Sequence, residues 1–134
     1  MPLVAITRLR VRSWRYLPMF LLQSFRAERQ AKAAPGNLAP GELADADRTF
    51  WTRSVWSDEA VMRGFMTAPP HRNIMPRLIE WCDEAAFLHW TQESAEPPSW
   101  QEAHRRLMKE RRRSRVAHPS ERQDKFEFPP PRAA

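Results

Sequence analysis

Residues 50–90, FWTRSVWSDEAVMRGFMTAPPHRNIMPRLIEWCDEAAFLHW, change period twice. From Arg48 to Trp56 the chain alternates, sending Phe50, Thr52, Ser54 and Trp56 to one side and Trp51, Arg53 and Val55 to the other, as a strand requires. Ser57 can then cap a helix whose first turn holds Asp58 and Glu59 and whose apolar stripe is Val61, Met62, Phe65 and Met66. Pro69 and Pro70 end it. A second helix is predicted from His71 to Cys82, with Ile74, Met75, Leu78, Trp81 and Cys82 spaced for one face and Pro76 imposing a late start or a kink. Residues 84–90 alternate again and read as a strand.

Working outward, residues 3–12 alternate with Leu3, Ala5, Thr7, Leu9 and Val11 on one face and Val4, Ile6, Arg8, Arg10 and Arg12 on the other. A helix follows from about Pro18 and stops at Pro35-Gly36. A short irregular strand over 37–45 makes a hairpin with the strand at 48–56. The order is βαββαβ with a broken second helix, a ferredoxin-like α+β unit with helices on one face of a four-stranded antiparallel sheet. This domain is expected over 1–93. Residues 94–98 are a linker, and 99–115 a charged amphipathic helix opened by the Ser99-Trp100-Gln101-Glu102 capping box, with Trp100, Ala103, Leu107 and Met108 as its apolar stripe. Residues 116–134, ending in a Pro129-Pro130-Pro131 run, read as a disordered tail.

Both sheet faces carry large apolar groups. Helices cover one, and Trp51, Val55 and their neighbours on the other would form a costly exposed patch. A two-fold pairing of two sheets would cover it, so a homodimer is expected, with a pocket between sheet and helices.

The 134 residues include 22 Lys and Arg against 16 Asp and Glu, a formal charge of +6. Seven basic and one acidic side chain lie in residues 1–36, five and ten in 37–100, and ten and five in 101–134. The acidic middle offers no uniformly basic face, so nucleic acid is not an expected partner. No apolar run is long enough to span a bilayer and the N-terminus lacks signal-peptide features, so a cytoplasmic protein without a membrane partner is expected. A single cysteine, Cys82, rules out a disulfide within the chain, and its place on an apolar helix face predicts a buried small hydrophobe. His71, His89, His104 and His118 lack short metal-ligand spacing, so no metal site is expected. Three glycines form no phosphate-cradling loop.

The succession Phe50-Trp51-Thr52 to Val55-Trp56, Asp58-Glu59-Ala60, Met62, Phe65-Met66, His71, Met75-Pro76 and Trp81 resembles the dimeric α/β-barrel superfamily. It is most similar there to uncharacterised relatives of antibiotic-biosynthesis monooxygenases and of spheroidene monooxygenase. The likeness covers about residues 3–92, including the Trp14-Arg15-Tyr16 exit of the first strand. It implies a monooxygenase-like protein acting on a small aromatic, polycyclic or isoprenoid molecule, working without a cofactor or with haem. A non-catalytic protein that binds a small hydrophobic ligand or haem is the alternative. In the cofactor-free mode His71, Trp51 and Asn73 are the groups that could aid deprotonation of a phenol. In the haem mode His71 would ligate the iron while Arg72 or Arg77 meets a propionate. An imidazole there could equally do no more than stabilise the helix start. Trp14, Trp51, Phe65, Met75 and Phe87 are the expected substrate pocket.

Overall fold

The computed structural model describes residues 1–132. Its elements are β1 (Leu3–Val11), α1 (Leu17–Ala33), β2 (Gly41–Asp45), β3 (Thr49–Trp56), α2 (Glu59–Thr67), α3 (His71–Trp81), β4 (Cys82–Thr91), α4 (Trp100–Glu110) and α5 (Glu121–Lys125). The strands form one antiparallel sheet in the order β2-β3-β1-β4. This is the α+β, ferredoxin-like arrangement that the alternating periods predict.

Local chemistry places the element ends. Pro18 sits in the first turn of α1, where its missing N–H removes no helix bond. Gly36 has a φ of +86°, and a Cβ there would meet Val61 Cγ1 at 2.6 Å, so glycine alone permits the turn after α1. Asp58, rather than Ser57, caps α2 through a bond from Val61 N–H to its carboxylate. α3 runs through Pro76, which orphans the carbonyl of Arg72, and both are exposed residues.

Register fixes the two faces of the sheet. Leu3 lies opposite Trp56, and Leu9 between Phe50 and Ala85, on the side covered by α1, α2 and α3. Two apolar clusters form there: Val11, Phe20, Ile74, Trp81 and Cys82 at one end, and Leu3, Trp56 and Met62 at the other.

On the opposite face Val4, Ile6, Trp51, Val55, Ala86 and Leu88 are buried against Trp100, Ala103, Leu107, Phe126 and Phe128. The chain therefore covers its own second face. This removes the ground on which a partner sheet was expected, because α4 and the segment after it fill that place.

The expectation of a disordered tail over 116–134 is corrected as far as residue 132, and Ala133 and Ala134 lie outside the described residues. Phe126 is 0% and Phe128 4% exposed. Ser120 caps α5 by accepting from Gln123 N–H. The Gln123 amide donates to the carbonyls of Ala85 and Ser114 and accepts from Ala85 N–H, stitching the tail to β4. Ser99 caps α4 as the capping box predicts, but the helix ends at Glu110, not 115, because Arg111 takes a left-handed conformation. Arg111 and Arg113 then donate to the carbonyls of Lys125, Gln123 and Asp124. The basic run 111–115 thus serves in part to hold the tail.

Candidate functional site

The turn between α2 and α3 is the best-organised polar feature on the helix side of the sheet. A helix end followed closely by a helix start leaves carbonyls and N–H groups without partners. Gln30, reaching across from α1, ties three groups of this turn together: its carbonyl accepts from the otherwise unpaired His71 N–H at 2.9 Å, and its amide donates to Phe65 O and Ala68 O, both at 3.2 Å, which also accept from the Ala68 and Arg72 N–H groups. Forty-one positions separate Gln30 from His71.

This clamp fixes the first residue of α3. His71 Nδ1 lies 3.2 Å from Met66 O, and since a carbonyl can only accept, the proton resides on Nδ1 and Nε2 keeps its lone pair. Among the described residues no hydrogen bond engages Nε2. The ring packs against Phe65 at 4.6 Å, and Phe65 in turn stacks on Trp56 at 5.0 Å. Burial lowers the pKa of His71 below its ordinary value, with the Met66 carbonyl opposing that shift. The side chain is therefore a neutral base with a defined tautomer, backed by an aromatic ring.

Beside Phe65 runs a largely apolar groove of about 440 Å3, walled by Ala33, Ala34, Pro35, Val61 and Gly64. The helix side of the sheet also carries a partly exposed row. There Glu42, Thr52, Thr7 and Phe87 form one row across all four strands, and Glu42, Thr52 and Phe87 are exposed. Burial and the neighbouring Glu28 carboxylate push the Glu42 carboxyl up to about 6, while Lys32 holds Glu28 ionised.

The residues expected to form one site are only partly together. Phe65 and His71 are in contact, and Phe87 projects on the helix side. Trp51 does not join them. It is fully buried on the opposite face, where its indole N–H donates to Asp45 and its ring meets His104. Strand parity is the cause, since Trp51 is one residue from Phe50 and so points the other way. Trp14 is 70% exposed beneath the Arg48 guanidinium, away from the groove. Arg72, Asn73 and Met75 are exposed on α3, and Arg77 lies over the Trp81 ring.

These positions bear on a haem. Its carboxylates would need cations beside the histidine, yet neither Arg72 nor Arg77 lines the groove, His71 itself meets it only through Phe65, and the groove's one polar side chain, Gln30, is bonded to backbone. The residues present do not fit that group. Cys82 is fully buried, and burial pushes its thiol up to about 12, in keeping with a small core residue.

Solved structures similar to this chain match about 70% of it. They include SnoaB, a cofactor-independent oxygenase from Streptomyces nogalater, at 16% identity and a TM-score of 0.54, matching 69% of this chain and 94% of that one. A putative antibiotic biosynthesis monooxygenase from Nitrosomonas europaea matches at 14% identity, TM-score 0.58, over 69% and 90% of the two chains. Rv0793 from Mycobacterium tuberculosis matches at 11% identity, TM-score 0.63, over 70% and 97%. At such identities the likeness establishes the fold, that of antibiotic biosynthesis monooxygenase-like proteins. No curated protein matches the sequence. Residues 21–128 match the family described as a domain of unknown function, DUF3291, a span that includes α4 and the buried phenylalanines after it. The chain belongs to that family.

Proposed function

We propose that this protein is a monooxygenase-like enzyme that holds a small aromatic, polycyclic or isoprenoid molecule between helices and sheet and needs no cofactor. The observation that carries this reading is the neutral His71, with Nδ1 committed to Met66 O, Nε2 unbonded and an aromatic ring at its face. Nε2 would take the proton of a phenolic substrate, leaving an electron-rich ring that reacts with oxygen. One oxygen atom enters the ring, the ring is oxidised to a quinone, and the other oxygen atom leaves as water. Proton removal by a placed base contributes typically 10²–10⁴-fold.

Oxygen uptake with a panel of polycyclic phenols tests this. His71→Ala should lower turnover by about 10²-fold or more. The wild-type rate should fall only below the ordinary imidazole range, because burial keeps His71 neutral to lower pH. No uptake with any phenol, or an unchanged rate in His71→Ala, defeats the reading.

The walls of the groove favour a second reading, a non-catalytic carrier of a small hydrophobe, since Gln30 is its one polar side chain and is held by backbone. Saturable binding of the same phenols without oxygen consumption would select it.

A further inference from the structure

The outward side of α1 is apolar along its first half and cationic along its second. Met19, Leu21, Leu22 and Phe25 are all exposed, Phe25 at 56%, and Trp14 stands exposed just before the helix. Pro18, Leu22 and Phe25 recur at helical spacing, so they share one side, and Arg29 continues it between Arg26 and Lys32. Only Phe20 of the 17 residues of α1 is fully buried, so the helix turns a narrow edge inward and a broad one outward.

The cations of this region divide in the same way. Arg8 and Arg10 are consumed inside the fold by Glu84 and Asp83, and Arg12 pairs with the exposed Glu80. Arg15, Arg26 and Arg29 form no ion pair among the described residues. The one acid of the first 36 residues, Glu28, is bound to Lys32. The outward face therefore combines projecting apolar tips with uncompensated positive charge.

We propose that this face of α1 docks on the surface of an anionic lipid bilayer, with Leu22 and Phe25 reaching below the headgroups and Arg26 and Arg29 lying among them. Apolar tips followed by cations on one helix side match the acyl boundary and the charged headgroups in turn. A second copy of the chain fits less well, because a two-fold contact over Leu22 and Phe25 would carry Arg26 and Arg29 to its border, where the one acid of the helix, Glu28, is already bound to Lys32. A nucleic acid would match the cations but leave Met19, Leu21 and Leu22 in water. No helix among the described residues is long and apolar enough to cross a membrane, and surface docking requires none.

Sedimentation of the full chain with vesicles tests the proposal, using phosphatidylcholine alone and phosphatidylcholine mixed with phosphatidylglycerol. Binding to the mixed vesicles only is expected, weakened by salt and by about tenfold or more in Phe25→Glu and in the pair Arg26→Glu and Arg29→Glu. These positions are exposed, so the variants should melt with the wild type. The proposal is overturned if mixed vesicles are not bound, if neutral vesicles bind equally, or if neither variant weakens binding. A doubled mass in solution that Phe25→Glu abolishes would instead give the face to a second copy. Retention of duplex DNA without vesicle binding would give it to nucleic acid.

Discussion

Arg8 and Glu84 are almost fully buried and meet at 2.7 Å under the Phe128 ring, which the Arg8 guanidinium faces at 4.3 Å. Ser120 completes the carboxylate by donating to its second oxygen. Burial outweighs Glu84 in setting the Arg8 pKa, which lies below its usual value, so the pair is held in place at a desolvation cost. Glu84→Ala should destabilise the protein by about 3–5 kcal/mol, because it strands a buried guanidinium. Replacing both partners, Arg8→Met with Glu84→Leu, should recover most of that loss. Chemical denaturation of the three variants checks this, and equal losses in the single and double variants would contradict it. At this scale the sequence is read unevenly. His71 stands out because a histidine directly after Pro69-Pro70 must open a helix. Trp51 is misread in the pocket although its own alternation with Phe50 and Trp56 already sends it to the far face. Gln30 leaves no local trace, since a clamp on residues 35 to 41 positions away has no period to follow.

At the scale of elements the seven units from β1 to β4 are legible because each, apart from the irregular β2, satisfies one period over its length, and the structure moves their ends by a few residues at most. The C-terminal cover is not. Arginines and prolines dominate residues 111–132 and mask two aromatic residues spaced to enter a core, Phe126 and Phe128, whose rings pack at 4.9 Å. A disordered segment tolerates the loss of a side chain, whereas a core does not. Phe126→Ala should therefore cost about 3–5 kcal/mol, as for a buried phenylalanine elsewhere, with Glu121→Ala on the exposed side of α5 changing stability little. Thermal melts of the two variants test the difference. Equal melting temperatures would mean that the cover is not part of the cooperative unit. The same argument accounts for the family match reaching residue 128, past the end of the ferredoxin-like unit.

For the whole molecule, the decisive quantity is how much apolar sheet remains without cover. The related folds are matched over 90% or more of their own lengths by only 69–70% of this chain, about the length of the stretch from β1 to β4, which leaves room in this chain for α4 and the tail. These segments settle on the face whose apolar side chains pointed to a second subunit, and they bury Trp51, Val4 and Val55 completely. The linker before α4 is anchored as well: the Arg53 guanidinium donates to Pro98 O at 2.6 Å and lies over the Trp100 ring at 4.3 Å. Displacing this cover to admit another sheet would expose Trp100, Leu107, Phe126 and Phe128 while burying nothing new on the sheet, so exchange brings no gain in apolar burial. The remaining large apolar surface, along α1, is flanked by cations that disfavour self-association. The full chain should therefore run as a monomer, with a light-scattering mass near 15.8 kDa at micromolar concentration and moderate salt. A mass of twice that value would show that the sheet face or α1 accepts a second copy. Phe25→Glu and Phe126→Ala separate those cases, since the first variant would disrupt a dimer through α1 while the second acts on the cover of the sheet.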